Sequence, residues 1–193
     1  MKLCFHEQSG RSMVEILGVL AIIGVLSVGG IAGYSKAMTK INANKLLLEV
    51  NEIIRQADLL FEMNKKENYG DLNTAAAISI GMVPDYMIVD HKTLRSAVGG
   101  EVIIKSVDRR RTLAIIYNGL ESSECVTLST QDWGSGLQYI VVSPTGIIEP
   151  RNSPNNLDYG EFDARSLPLK LSDVTDLCRC HAEFKCGIAW FFR

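Results

Sequence analysis

Near the C-terminus, Cys178, Cys180, His181 and Cys186 fall close together, with Cys125 further upstream. Soft sulfur and imidazole at that spacing suit a zinc ion. The same thiols also make an even set of four, which in an oxidising compartment would close as two disulfides. Three connectivities are then open, and the spacing does not choose among them. A second group, Asp158, Glu161 and Asp163 with Asn155 and Asn156, is rich in oxygen donors of the kind calcium takes. Its spacing does not follow the EF-hand loop, and a solvated loop has the same composition. Arg109, Arg110 and Arg111 offer charge for an anionic surface, or simply a charged turn. Catalysis finds little to work with. Beyond the apolar N-terminal stretch the histidines are His91 and His181, and no H-E-x-x-H, G-x-S-x-G or phosphate-loop pattern occurs. Neither an enzyme nor a cofactor is expected. With 22 acidic against 20 basic side chains the formal charge is −2, and the bases are scattered apart from the arginine triplet. Nucleic acid is therefore not an expected partner.

Glu15 is the carboxylate whose position asks most for an explanation. It stands just after Met13 and Val14 and directly before Ile16 to Ser35, twenty residues without a charge. Such a run is about the length that crosses a bilayer as a helix, and it shows no polar face. A carboxylate inside that pattern is costly to insert and marks function by default. An ordinary secretory signal would use Lys2 and Arg11 as its basic start, Ile16 to Val28 as its core and Gly30-Ile31-Ala32 as its cut site. Against it, Glu15 interrupts the approach to the core, and the helical pattern continues past the supposed cut. Gly29 and Gly33 have the G-x-x-x-G spacing that lets helices approach closely in lipid. Glycines there also lower helix stability by about 1 kcal/mol each in water, so the Gly29 to Gly33 stretch is a candidate for local unwinding in a fibre.

These residues need elements to carry them. After Lys36 the pattern becomes amphipathic, with Ala43, Leu46 or Leu47, Val50, Ile53 or Ile54, Ala57, and Leu60 or Phe61 recurring every three to four positions. Lys45, Glu49, Glu52, Arg55 and Asp58 fill the polar positions between them. The first proline after the apolar run is Pro84, so one helix is expected from about Ser12 to Asn64, about 80 Å at the α-helical rise. Asp71 to Ile80 reads as a short capped helix closed by Gly81. Glu101 to Val107 and Thr112 to Asn118 read as a hairpin around the arginine triplet, Gln138 to Ser143 as a strand extended by Ile147 and Ile148, and Gly187 to Phe192 as a last strand. Leu169 to Cys178 reads as a helix. Trp133 is expected as a loop anchor and Trp190 as core. A chain of 193 residues, 47% of them hydrophobic, supports one such α+β domain with the sheet on the helix.

Gly10 followed by Arg11-Ser12-Met13-Val14-Glu15-Ile16-Leu17 and a long apolar run resembles the leader of type IV prepilins and pseudopilins. Further matches are to type IVb pilins: Met82-Val83-Pro84-Asp85-Tyr86-Met87, Gly99-Gly100-Glu101-Val102, Cys125-Val126-Thr127-Leu128, and a cysteine shortly before the final strand. The resemblance implies a type IV pilin-like α+β fold. In it a long N-terminal helix, half of it transmembrane, packs on an antiparallel β-sheet beside a disulfide-stapled C-terminal region. It implies a leader over residues 1–10, a transmembrane and assembly half over 11–35, and a globular domain over 36–193. A prepilin peptidase would cut after Gly10 and methylate Arg11, where the family usually has an apolar residue.

A carboxylate buried in a bundle of such helices needs a partner. The new charge made by cleavage is the Arg11 α-amine, so Glu15 and Arg11 are the expected assembly residues, their pairing offsetting a desolvation cost of several kcal/mol. The implied partners are other copies of the chain in a helical filament, the peptidase, an inner-membrane pilus assembly platform, and the membrane. The chain would cross the inner membrane once and then enter an extracellular pilus fibre, or a periplasmic pseudopilus in the alternative of a pseudopilin or minor pilin. A membrane-anchored periplasmic binding domain that never polymerises is the second alternative. The resemblance also places one bridge between Cys125 and the C-terminal cluster. Cys178 and Cys180 are too close to join comfortably, so one is expected to take Cys125 and the other Cys186.

Overall fold

In the computed structural model, residues 13–63, 69–107, 111–146, 160–163, 167, 169–180, 182–183 and 185–193 are described. They contain four helices, α1 (Met13–Met63), α2 (Thr74–Ser79), α3 (Ser122–Ser129) and α4 (Leu171–Leu177), and a 3-10 turn at Asp85–Met87. Six strands accompany them: β1 (Leu94–Arg95), β2 (Glu101–Val107), β3 (Thr112–Leu120), β4 (Leu137–Ser143), β5 (Gly160–Asp163) and β6 (Cys186–Phe192). The chain divides into two compact units, Met1–Met38 and Thr39–Arg193.

The sheet of the second unit runs β1-β2-β3-β6-β4-β5, with every neighbouring pair antiparallel. The C-terminal strand therefore lies inside the sheet. Trp190 stands opposite Ile115 on one side and Ile140 on the other, and all of Cys186–Phe192 is buried. A strand covered on both faces must be apolar throughout, and Cys-Gly-Ile-Ala-Trp-Phe-Phe meets that demand. The β2–β3 hairpin, β4, α4 and β6 form where the sequence pattern places strands and a helix. The proposed extension at Ile147 and Ile148 lies outside the described residues. Not foreseen were β1 and β5, two and four residues long, and α3.

One face of the sheet meets α1. Leu46, Val50, Ile53 and Ala57, spaced four, three and four apart, are buried in a core with Ile104, Leu113, Ile115, Tyr117, Ile188 and Trp190. Each large aliphatic side chain so removed from water contributes about 1.5–3 kcal/mol. Trp133 and Tyr117 both meet Trp190 edge-on, at ring separations of 5.2 Å and 5.7 Å. The Trp133 indole N–H donates to the Leu128 carbonyl at 3.1 Å, which fixes the loop after α3. On the opposite face Ala114, Ile116, Val141, Ala189 and Phe191 form a smaller cluster. At the β1 end, Asn73 caps α2 by accepting from Ala76 N–H at 3.0 Å. The Thr74 hydroxyl then bonds both the N–H and the C=O of Ile104 on β2, which protects that side of a strand flanked by only a short neighbour. Gly100 is obligatory at the entry to β2, because a Cβ there would sit 1.9 Å from the Asn118 carbonyl oxygen.

Glu49 departs from the sequence reading, which assigns it to the polar positions of α1. It is fully buried. The helical rotation that brings Leu46, Val50 and Ile53 inward carries Glu49 with them, and its Oε1 accepts from Ala97 N–H at 2.9 Å. This bond ties the turn between β1 and β2 to the helix. Oε2 has no partner at hydrogen-bond distance among the described residues. Burial raises the Glu49 carboxyl from its ordinary 4.5 to about 7, opposed by the Ala97 N–H, Tyr86, Lys45 and Tyr117. Tyr117, itself buried, is held well above its ordinary value, first by burial and then by the Glu49 charge.

Because the folded protein holds this proton more tightly than the unfolded chain, its stability falls as pH rises from about 4.5 to about 7 and then levels. The contribution lost is at most about 3 kcal/mol, at 1.36 kcal/mol per pKa unit. Glu49→Gln keeps the acceptor for Ala97 and removes the buried charge. In denaturant titrations it should gain about 1–3 kcal/mol over the native chain at pH 8 and little at pH 4.5. An equal effect at both pH values would show that Glu49 does not titrate in this window.

Candidate functional site

Two features of this chain require an explanation beyond the domain core, and they belong to different units. The first is the N-terminal part of α1. Every residue from Met13 to Ala37 is exposed, including Leu17 at 63%, Ile22 at 62% and Leu26 at 68%. The stretch is long and apolar enough to cross a membrane, by length and composition. Exposed apolar surface of this extent is characteristic of contact with lipid or with other protein. Glu15 lies in the first turn of the helix, where a carboxylate is favoured by the N-terminal partial charge. Nothing lies within 4 Å of where a Cβ would stand on Gly18, Gly24, Gly29, Gly30 or Gly33. In the single chain the helix is continuous through Gly29 to Gly33. Gly10 and Arg11 lie outside the described residues.

The second feature is the cysteine cluster. Cys125 is bonded to Cys178 across 53 positions of sequence, and Cys180 to Cys186 across 6. This is one of the two arrangements left open once Cys178–Cys180 is set aside. Cys125 sits on α3, Cys178 caps the end of α4, and Cys186 opens β6. With each sulfur in an S–S bond, none is a thiolate ligand, so the zinc reading does not apply to this form of the chain. His181 lies outside the described residues.

Sequence periodicity did not reveal α3, which is only eight residues long, but its start carries a signal. Glu121-Ser122-Ser123-Glu124 is a reciprocal capping box, in which the Glu121 N–H donates to Glu124 Oε2 at 2.9 Å. Two further contacts dock the cysteine region on this helix start. Lys185 pairs with Glu121 at 2.9 Å, and Cys180 N–H donates to the Ser122 hydroxyl at 3.3 Å.

The remaining candidates do not converge on chemistry. Glu161 and Asp163 lie on β5, in register with Val141 and Tyr139, while Asn155, Asn156 and Asp158 fall outside the described residues. Of the arginine triplet, Arg111 is in the turn before β3 and is exposed, and Arg109 and Arg110 lie outside. A groove between α1 and the 3-10 turn is lined by Leu48, Glu52, Gln56, Pro84, Asp85 and Tyr86 among others. It contains two carboxylates without a histidine or a nucleophile, and the Glu52 carboxyl is held low by hydrogen bonds from Arg55 and Gln56.

In the chain-entropy account a bridge stabilises according to the loop it closes. Serine at both Cys125 and Cys178 should therefore cost about 4 kcal/mol, and serine at both Cys180 and Cys186 about 2 kcal/mol. Denaturant titration of the detergent-solubilised chain measures both. The reverse ranking would show that the native bridges act mainly through strain or local packing.

The sequence from residue 32 to residue 159 matches the family model described as PilS N terminal. No curated protein matches the chain. Among solved structures, TcpA, a type IV pilin from Vibrio cholerae El Tor biotype, is similar at 18% identity with a TM-score of 0.45, over 79% of this chain and 99% of that one. The family match covers about two thirds of the residues, including the amphipathic half of α1, the hairpin, α3 and β4, and on that match the chain belongs to the PilS family of type IV pilins, which are structural subunits rather than enzymes.

Proposed function

We propose that this pilin subunit is made with a leader over residues 1–10, is cut after Gly10 by a prepilin peptidase, and polymerises through residues 11–35 of α1. Residues 36–193 then form the domain displayed on the fibre. One observation carries the reading: α1 is apolar and exposed all round from about Ile16 to Ser35, whereas beyond it the stripe of Leu46, Val50, Ile53 and Ala57 is buried in its own domain. Water does not tolerate such a surface for long. A bilayer accepts it before assembly, and equivalent helices from other copies accept it in a filament. The subunit would cross the inner membrane once, pass to an assembly platform there, and end in an extracellular pilus.

Processing is the first step to test. The mature chain should begin at Arg11, and a bulky residue at Gly10 should leave full-length protein in the membrane. Intact-mass measurement of the purified chain decides this. A start near Gly33 would indicate conventional secretion and overturn the reading.

Assembly is the second. Glu15 is exposed in the first unit, so Glu15→Ala opens no cavity in the domain. It should also enter the membrane more readily, because a carboxylate costs free energy to insert, about 2.5–3.5 kcal/mol at a helix centre and less in the first turn, where Glu15 lies. What it removes is the proposed partner of the Arg11 α-amine. The expected result is normal abundance and cleavage with loss of incorporation into filaments, read by shearing and electron microscopy. Glu15→Ala chains that polymerise as well as the native chain when expressed alone would refute the pairing.

A further inference from the structure

Three of the four bridged sulfurs are closer than two independent disulfides need to be. The Sγ atoms of Cys125, Cys180 and Cys186 all lie within 4.8 Å of one another, although Cys125 is bonded to Cys178 and Cys180 to Cys186. The contacts at the start of α3 maintain this crowding. The Ser122 hydroxyl accepts from Cys180 N–H, and Glu121 holds Lys185 immediately before Cys186. Exposure within the cluster is uneven, because Cys180 is only half-buried while Cys125, Cys178 and Cys186 are buried. Thiol–disulfide exchange is limited by access to a sulfur and by the reach of the attacking thiolate. Here access is greatest at Cys180, and reach is provided toward Cys125.

The geometry points to a thiol relay, in which opening of the Cys180–Cys186 bridge frees a thiolate that attacks Cys125 and expels Cys178. Reduction of the outer bridge is thereby passed inward to the covalent tether of α4. A dithiol reductant supplies the electrons. One of its thiolates attacks Cys180 Sγ, and the electron pair of the S–S bond departs on Cys186. Its second thiol then closes the reductant's own disulfide and releases Cys180, so the reductant loses two electrons and the bridge gains two. The Cys180 or Cys186 thiolate next forms a bond to Cys125 Sγ, and the Cys125–Cys178 bond breaks with its pair on Cys178, which takes a proton from water. That second step consumes no electrons. One bridge remains, now from Cys125 to Cys180 or Cys186, and Cys178 at the end of α4 is left as a free thiol.

The sequence makes the exchange readable, since tryptic cleavage after Lys170, Arg179 and Lys185 places the four bridged cysteines on four peptides, none of which holds Cys4. The full chain in detergent is treated with one equivalent of dithiothreitol, its free thiols are trapped with N-ethylmaleimide, and the linked peptides are identified by mass spectrometry. The relay predicts label on Cys178 and on one of Cys180 and Cys186, with Cys125 linked to the other. Label on Cys180 and Cys186 with Cys125–Cys178 intact overturns it, as does label on Cys125 and Cys178 with the outer bridge intact. A second arm needs no reductant. In Cys186→Ser the Cys180 thiol is left free, and the relay predicts a Cys125–Cys180 bridge with label on Cys178; label confined to Cys180 overturns it. Should that variant fail to fold, the experiment on the native chain still decides.

Discussion

Between β3 and β4 there is room for one strand, and the chain supplies it last. β6 hydrogen-bonds to both neighbours and places Trp190 against Tyr117 and Trp133. Without it β3 and β4 would each expose a row of backbone donors and acceptors, and the core under α1 would lose Ile188, Trp190 and Phe192. The sheet therefore depends on pairing between segments about seventy residues apart, which carries a large chain-closure cost before it returns any contact energy. The cysteine bridges act on the same problem. Cys186 opens β6 and is tied to Cys180, while Cys178, two residues before Cys180, is tied to α3 just after β3. The entry of the last strand is thus fixed beside the strand it must join.

The apolar residues of α1 follow two different patterns along one helix. In its first part the apolar residues occupy every side, as suits the proposed lipid or bundle environment, which has no aqueous face to satisfy. In its second part they narrow to the stripe of Leu46, Val50, Ile53 and Ala57, because only that stripe meets the sheet. The change of pattern near Lys36 is what the proposed passage from membrane or filament to globular domain requires along one helix. Since a helix satisfies its own backbone hydrogen bonds, it can continue from one medium into the other without a break.

Glu49 shows what such a stripe can hide. A carboxylate among leucines costs free energy when ionised, and its hydrogen bond from Ala97 N–H, with Tyr86, Lys45 and Tyr117 nearby, offsets only part of that. What the bond provides is position: it fixes the β1–β2 turn against the helix at the point where Gly100 must pass the Asn118 carbonyl. The resulting carboxyl, near neutral in its proton affinity, couples the packing of this edge to pH in a way that an aliphatic residue would not.

Much of this was legible before folding was considered. An uncharged run of twenty residues, a 3.6-residue repeat after it, β-branched runs around an arginine turn and an apolar tail strand follow from local residue types, and local types govern helix, strand and turn. Tertiary structure decided what depends on neighbours distant in sequence. The place of β6 inside the sheet could not be read, because an apolar strand suits any position covered on both faces. The burial of Glu49 could not be read either, since periodicity alone leaves the edge of a helical stripe uncertain by one position. The partner of each cysteine was open because S–S bonds form by proximity, and proximity arises only when α3, α4 and β6 have docked. α3 was in between: its Glu121-Ser122-Ser123-Glu124 cap is present in the sequence, but eight residues are too few for their periodicity to reveal a helix, and packing against β6 and α4 holds it in place.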